Sequence, residues 1–472
     1  MNQYRVLKSQ EGIATSDAQT PTSSDDERLP LLAKVVLIAL LIPAHFSIGS
    51  LSLNPSKVMF LVVVPVLLIK LLRGELGKIL SIDVMVIGFT GWMTLAMLSN
   101  HSIRVAIEYT GSVTATLLGG YLTGRATIRS KANFIALIRF LAIVIVISLP
   151  FCIYETITSR TTIPRLMASL PGIRSHGDIQ HDPRLGLWRV QFVFAHPIHF
   201  GIFCSLVFSL VFVGLKDTMT WFRRVIVAGI VGFCCFLSVS SGPVLALAVQ
   251  IGLIGWAWVM KWSNYRWTIF TVLVVIGYAI IEVLSDRSGI YAVVQRLSFN
   301  PATAFSRRIL FEYGIEQIGR TPFLGVGYNG WAKPAWMTGS VDNFWLFLSV
   351  TFGLPAFILL FGAFVTAMIL AARRDFTQAP KLTSLRLGWI ITMTSLVLSL
   401  ATVAIWGELY SIAMLMLGSG AWFITTSADD VANANQNAPL QEVAKRLRYS
   451  RFPPNTADGA IAQKPASMYR RQ

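Results

Sequence analysis

The sequence predicts an all-α, polytopic integral membrane protein with about 12 transmembrane helices and two long loops on the face away from the cytoplasm. Three observations carry this expectation. Hydrophobic residues make up 54% of the 472-residue chain and charged residues only 13%, against roughly a quarter charged in soluble domains, and the mean hydropathy is +0.61. Apolar runs of roughly 20 residues recur from Leu31 to Ile424, the length a helix needs to cross a bilayer core of about 30 Å. Finally, Lys and Arg crowd into alternate connections between those runs.

Residues 1–30 are mostly polar and read as a disordered cytoplasmic tail without the charged start and cleavage site of a signal peptide, so the first span is expected to remain as an anchor. Residues 31–426 form the membrane domain. Its expected spans are Leu31–Gly49, Lys57–Leu72, Ile82–Leu98, Ile103–Leu122, Ala132–Ile153, Ile198–Leu215, Val225–Val239, Val244–Met260, Trp267–Leu284, Asn343–Ala371, Leu387–Ile405 and Leu409–Ile424. The closely spaced seventh and eighth are also compatible with one re-entrant hairpin. Residues 427–472 are polar and end basic, with Lys445, Arg446, Arg448, Arg451, Arg470 and Arg471, and read as a second disordered cytoplasmic tail.

A net charge of +17 would suit a nucleic-acid binder if the cations shared one face, but they are spread over short connections, so no nucleic-acid partner is expected. With both tails cytoplasmic, 25 of the 40 Lys and Arg fall on the cytoplasmic side and 13 on the other, 11 of those in the two long loops. Long loops cross largely regardless of charge, so the informative contrast is 25 against 2, which places both termini in the cytoplasm. Cys152, Cys204, Cys234 and Cys235 lie in or beside apolar runs without metal-ligand spacing, and neither a disulfide nor a metal site is expected of them.

The outer loops, about 154–197 and 285–342, are where function is sought, because connections of that length are uncommon unless they act or are disordered. They carry Trp188, Phe192, Phe194, Tyr291, Phe305, Phe311 and Trp331, aromatics suited to the membrane interface. Arg189 stands just above the sixth span and is a candidate phosphate ligand or an interfacial anchor. His196 and His199, spaced i, i+3, suit a hydrogen-bonding role better than a metal site. In the second loop Phe311, Ile315 and Ile318 mark an amphipathic helix that carries the adjacent Arg307 and Arg308, with Arg308 able to pair with Glu312. Asp342 and Asn343 precede the tenth span; either is a good helix cap, and Asp342 is alternatively a base at a dry boundary.

The order of these features resembles the O-antigen ligase and Wzy-type polymerase superfamily of bacterial glycosyltransferases, and looks closest to its exopolysaccharide polymerase branch. The resemblance rests on Arg189 with His196-Pro197, Ser238-Val239-Ser240-Ser241-Gly242, Arg308 followed by Gly319, Pro322 to Gly327, and Asp342-Asn343. It implies a bacterial inner-membrane enzyme that transfers oligosaccharide from an undecaprenyl-pyrophosphate donor to an acceptor glycan on the outer, periplasmic face, with no cofactor, nucleotide sugar or metal. It further implies that Arg189, Arg308 and Arg307 bind the donor pyrophosphate, that Asp342 is catalytic, and that His196, Ser241 and Asn343 support them. A chain-length-regulating co-polymerase is a partner of the same kind of inference. The ligases commonly have Ser-Arg-Gly where this chain has Ser240-Ser241-Gly242, and His in place of Asp342, which favours a polymerase over a lipid A ligase. The competing reading is a transporter or flippase of lipid-linked oligosaccharide.

Overall fold

The computed structural model describes residues 28–48, 51–177, 183–284, 301–331, 341–377 and 379–426. Both expected tails, apart from Arg28, Leu29 and Pro30 of the first, lie outside the described residues, as does Tyr291. The chain begins with α1 (Leu31–Leu41), a two-stranded antiparallel ribbon of β1 (Phe46–Ile48) and β2 (Leu51–Leu53), and α2 (Pro55–Leu72). Next come α3 (Ser81–Asn100), α4 (Ile103–Thr127), α5 (Lys131–Thr158), the short α6 (Ile163–Ala168) and α7 (Pro197–Ser209), which runs on into a π turn at Leu210–Gly214. The rest is α8 (Trp221–Leu237), α9 (Ser241–Val259), α10 (Arg266–Leu284), α11 (Pro301–Arg320), α12 (Phe344–Phe352), α13 (Leu354–Ala372), α14 (Pro380–Ser399) and α15 (Gly407–Thr425).

Among the described residues nine helices are long and apolar enough to cross a membrane. The three other expected spans depart for separate reasons. α1 has 11 residues, about 16 Å of helix, because Pro43 follows and holds Ile42 in an extended conformation; the chain then enters β1 at Phe46 where the helix was expected to continue. α8 has 17 residues, the lower limit for a span. α4 is 25 residues long, but its Thr and Gly content lowers its hydropathy. That content has a structural use: at Gly120 and Gly124 an added Cβ would collide with the backbone carbonyls of Ser411 and Leu415, so these glycines let α4 lie directly on α15. α15 is buried along nearly its whole length and forms the centre of the molecule.

The predicted tenth span, Asn343–Ala371, is two helices. Gly353 breaks it at φ 84°, in a left-handed conformation and against the Phe323 carbonyl, where a Cβ would not fit, and Pro355 opens α13. The seventh and eighth spans are two separate helices joined through Ser238–Ser240. Inside the bundle Gln250 of α9 is satisfied by a neighbouring helix: it accepts from the Ser209 amide at 3.1 Å and donates to the Ser205 carbonyl at 2.8 Å. Side chains such as Leu61, Val62, Ile143, Ile147, Val272 and Val275 are exposed around the outside, as lipid-facing residues are.

Backbone contacts sort the connections into two ends. At the loop end, His45 pairs with Arg174, Val190 with Leu237, Tyr328 with His101, and Phe344 with Leu400 and Val403. At the opposite end Arg125 binds the Leu76 and Lys78 carbonyls and Arg129 the Glu75 carbonyl. This second end gathers the cations of the short connections, and both long loops stand at the first.

Candidate functional site

Arg184 and Arg189 are presented by a tight hairpin. Arg184 and Leu187 exchange both backbone hydrogen bonds at 3.0 Å, and Leu185 and Gly186 between them both have positive φ, the signature of a type I′ turn. Two residues beyond Arg189, the amides of Gln191 and Phe192 donate to the two carboxylate oxygens of buried Glu155 at 2.8 and 3.1 Å, which fixes the strand that carries the arginine.

Opposite the hairpin lies the connection between α8 and α9. Val239 is held at φ 40°, a left-handed conformation that a β-branched residue adopts only under constraint, at a cost of about 1–3 kcal/mol. This kink turns polar atoms towards the arginines. The Arg189 Nη2 donates to Ser240 Oγ at 2.7 Å, with a longer contact from Nε to the Ser238 carbonyl at 3.5 Å, while Arg184 Nη1 reaches the Val239 carbonyl at 3.4 Å. Within the Ser240-Ser241-Gly242 motif it is Ser240 that meets Arg189. Gly242 packs so closely on Val403 that no side chain would fit.

Val403 leads to the second loop, since its carbonyl accepts from the Phe344 amide at the start of α12. Asn343 caps α12: its Oδ1 accepts from the Leu346 amide at 3.0 Å. Asp342 is thereby released from the capping role. On α11, Leu310 and Ile318 pack with Leu346 and Val350 of α12, and Gly314 sits against Leu346. The face that packs is Leu310–Gly314–Ile318; of the expected apolar stripe, Phe311 and Ile315 point outward and only Ile318 is buried.

α11 brings its two arginines in differently. Arg308 pairs with Glu312 at 2.8 Å, as the i, i+4 spacing predicts, and is partly exposed. Arg307 turns inward, with its Nε buried and without a hydrogen-bond partner. Its pKa is lowered by burial first, opposed by the Asp342 carboxylate and lowered further by Arg184. Arg189 is pushed down to about 10, by burial first and then by Arg184. Arg184 thus lies within electrostatic range of both, and Asp342 within range of Arg307. Arg184 and Ser240 were missed in the sequence; no periodicity points to them, because the hairpin and the kink at Val239 bring them in.

His196 caps α7 through its Nδ1, which accepts from the Ile198 amide at 3.1 Å. His199 is buried and lies edge-on to Trp406, with ring centroids 4.0 Å apart. Trp406 lines a cavity of about 520 Å³ at the loop end, walled by Tyr109, Tyr328, Trp331, Val341 and Phe344 among others. The cavity wall includes Val341 and Phe344, the residues either side of Asp342-Asn343, so the carboxylate stands at its margin. An aromatic-lined space with Lys57 in its wall and Asp342 at its margin suits a ligand with apolar or sugar faces.

No curated protein shows significant similarity to the chain. Residues 226–361 match the O-antigen ligase family model, a stretch running from α8 into α13 that contains Ser240, Arg307, Arg308, Asp342 and Asn343 but not Arg184 or Arg189. The apolar helices make the chain a membrane protein, and its stretch from α8 into α13 is similar to the O-antigen ligase family.

Proposed function

We propose that the protein polymerises undecaprenyl-pyrophosphate-linked oligosaccharide repeat units into an exopolysaccharide, with the loop end on the outer face of the bacterial inner membrane and both termini in the cytoplasm. The observation that carries this reading is the seating of Arg184 and Arg189 on the Ser238–Ser240 turn with Arg307 within electrostatic range of Arg184, and Asp342 beside Arg307 between two residues that line the cavity. Arg189 is held by neutral oxygens, Arg184 lies within electrostatic range of both Arg189 and Arg307, and the Asp342 carboxylate acts on Arg307. Half-buried cations in that proportion favour an added anion. Arginine suits pyrophosphate, because its planar fork binds phosphate oxygens in pairs.

In the proposed reaction an acceptor sugar hydroxyl loses its proton to the Asp342 carboxylate and its oxygen attacks the anomeric carbon of the donor. The bond from that carbon to the pyrophosphate oxygen breaks, and the negative charge that develops on the leaving group is met by Arg189 and Arg307, with Arg308 contributing from the edge. Ser240 holds Arg189 in place, Asn343 fixes the start of α12, and His196 fixes the start of α7, with Ser241 supporting the α9 end. The cavity takes the sugars or first prenyl units next to the reacting bond. A chain-length-regulating co-polymerase would act on this cycle from outside the chain.

Purified protein in lipid, supplied with undecaprenyl-pyrophosphate oligosaccharide, is expected to yield a ladder of longer lipid-linked chains. Movement of the lipid across the bilayer with no lengthening would replace this proposal with a flippase. Transfer only to an added foreign glycan would make the protein a ligase.

A further inference from the structure

A second constellation stands at the loop end, among residues that the proposed transfer does not use. His45 precedes β1, His176 lies in the first long loop, and Glu408 is in the first turn of α15. One potential ligand atom from each lies within 4.8 Å of the others, and the two histidine Nε2 atoms are 3.2 Å apart. We propose that these three side chains bind one divalent transition-metal ion of the zinc class, which ties the ribbon, the first long loop and α15 together.

Metal chemistry accounts for the spacing. Zinc–imidazole bonds of about 2.0 Å at tetrahedral angles put two ligand nitrogens about 3.3 Å apart, and the observed separation is 3.2 Å. Two imidazoles and a carboxylate are a ligand set that zinc takes readily, with water completing the coordination. The rings are held by backbone and not merely placed by rotamer. His45 and Arg174 exchange both backbone hydrogen bonds, at 2.6 and 2.7 Å, and the Ser175 hydroxyl donates to the Pro43 carbonyl, so the two histidine-bearing segments are laced together on both sides of the pair.

The carboxylate has the support that metal ligands need. Glu408 is buried, and its Oε1 accepts from Asn54 Nδ2 at 2.8 Å, which leaves Oε2 for a cation. Asn54 is itself fixed, because its Oδ1 accepts from the Lys57 amide and the Ser56 hydroxyl at the start of α2. A buried carboxylate facing two imidazoles is costly without a positive partner.

The site also connects to the arginine hairpin. Gly177, next to His176, accepts through its carbonyl from Gln191 Nε2 at 3.1 Å, two residues from Arg189. A bound ion would therefore clamp the loop that presents Arg189, as a structural cross-link outside the reaction. The other close histidine pair has different uses: His196 caps α7, and His199 is buried against Trp406.

The test uses the full-length protein without a histidine tag, stripped with chelator in detergent and titrated with Zn²⁺ against a chromophoric competitor. The expected result is one ion per chain, at least tenfold weaker in each of His176→Ala and Glu408→Gln, and unchanged in His196→Asn. Glu408→Gln keeps a partner for Asn54 and so guards against loss of fold. Zn²⁺ should also raise the thermal midpoint of the wild type and leave that of His176→Ala where it was. Absence of a stoichiometric site overturns the proposal. So does a site that survives both His45→Ala and His176→Ala, which would reduce the pair to a histidine–histidine hydrogen bond.

Discussion

The two ends of the molecule handle buried charge in opposite ways. At the basic end, Asp83 and Arg125 are both almost fully buried and lie 3.4 Å apart, close enough for an ion pair although Arg125 Nε is not aimed as a hydrogen bond. Other polar atoms of the pair are met by the protein: Tyr121 donates to Asp83 Oδ1, the Leu80 amide donates to Oδ2 at 2.7 Å, and Arg125 donates through both Nη atoms to the Leu76 and Lys78 carbonyls at 3.0 Å each. At the loop end, among the described residues, Arg184 and Arg189 find carbonyl and hydroxyl oxygens and no carboxylate, and the buried Nε of Arg307 has no hydrogen-bond partner. A charge balanced within the protein stabilises one arrangement of helices, whereas charges left in excess are available to a ligand. The same residue type is thus structural at one end and, on our proposal, functional at the other.

The largest effect should come from breaking the balanced end. Arg125→Met strands the Asp83 carboxylate in the bundle and is expected to cost about 3–5 kcal/mol of stability, read as a lower thermal midpoint and poorer yield, with activity per folded molecule unchanged. Replacing both partners with apolar residues, Asp83→Leu with Arg125→Met, should recover much of that loss. A double variant no more stable than the single one would show that the pair does not act as a unit.

The loop end should respond the other way. Arg189→Ala and Arg307→Ala are each expected to lower the rate of chain lengthening by about 10²–10³-fold, the usual worth of one preorganised charge partner in a transition state, while the thermal midpoint stays near that of the wild type. Arg308→Ala should lose much less, because its exposed pairing with Glu312 is of a kind worth about 0.3–0.5 kcal/mol. Equal losses at 307 and 308 would mean that α11 presents both arginines to the donor. Wild-type turnover in Arg189→Ala would remove the clamp altogether.

The fold class was legible because lipid allows few solutions: long apolar runs must be helices, and the period and length of each run are properties of the sequence. What failed was local. Pro43 ends α1 and Gly353 divides the tenth span, and both signals stood in the sequence inside runs whose hydropathy overrode them. The 29 residues from Asn343 to Ala371 were a warning, being about 44 Å of helix for a core of about 30 Å. Within the candidate site, Arg189, Arg307 and Asp342 stood out because charge at a membrane boundary is conspicuous. Arg184 and Ser240 did not, since their role depends on a left-handed Leu185 and a left-handed Val239, conformations that neither residue type advertises. The His45–His176–Glu408 constellation was invisible for a different reason: its members are 131 and 232 residues apart, and only the folded chain brings them together.

The smallest effect separates two neighbours that the sequence left interchangeable. Asn343 and Asp342 are both good caps, but only Asn343 accepts from the Leu346 amide. Asn343→Ala should therefore cost about 1 kcal/mol of stability, with a fall in rate no larger than the loosened start of α12 explains. Asp342→Asn leaves that cap in place and removes only the proton acceptor, so the thermal midpoint should hold while turnover falls and donor binding is retained. If instead Asp342→Asn lowers the midpoint and spares turnover, the carboxylate serves the ion balance of Arg307, and the base must be sought elsewhere along the cavity margin.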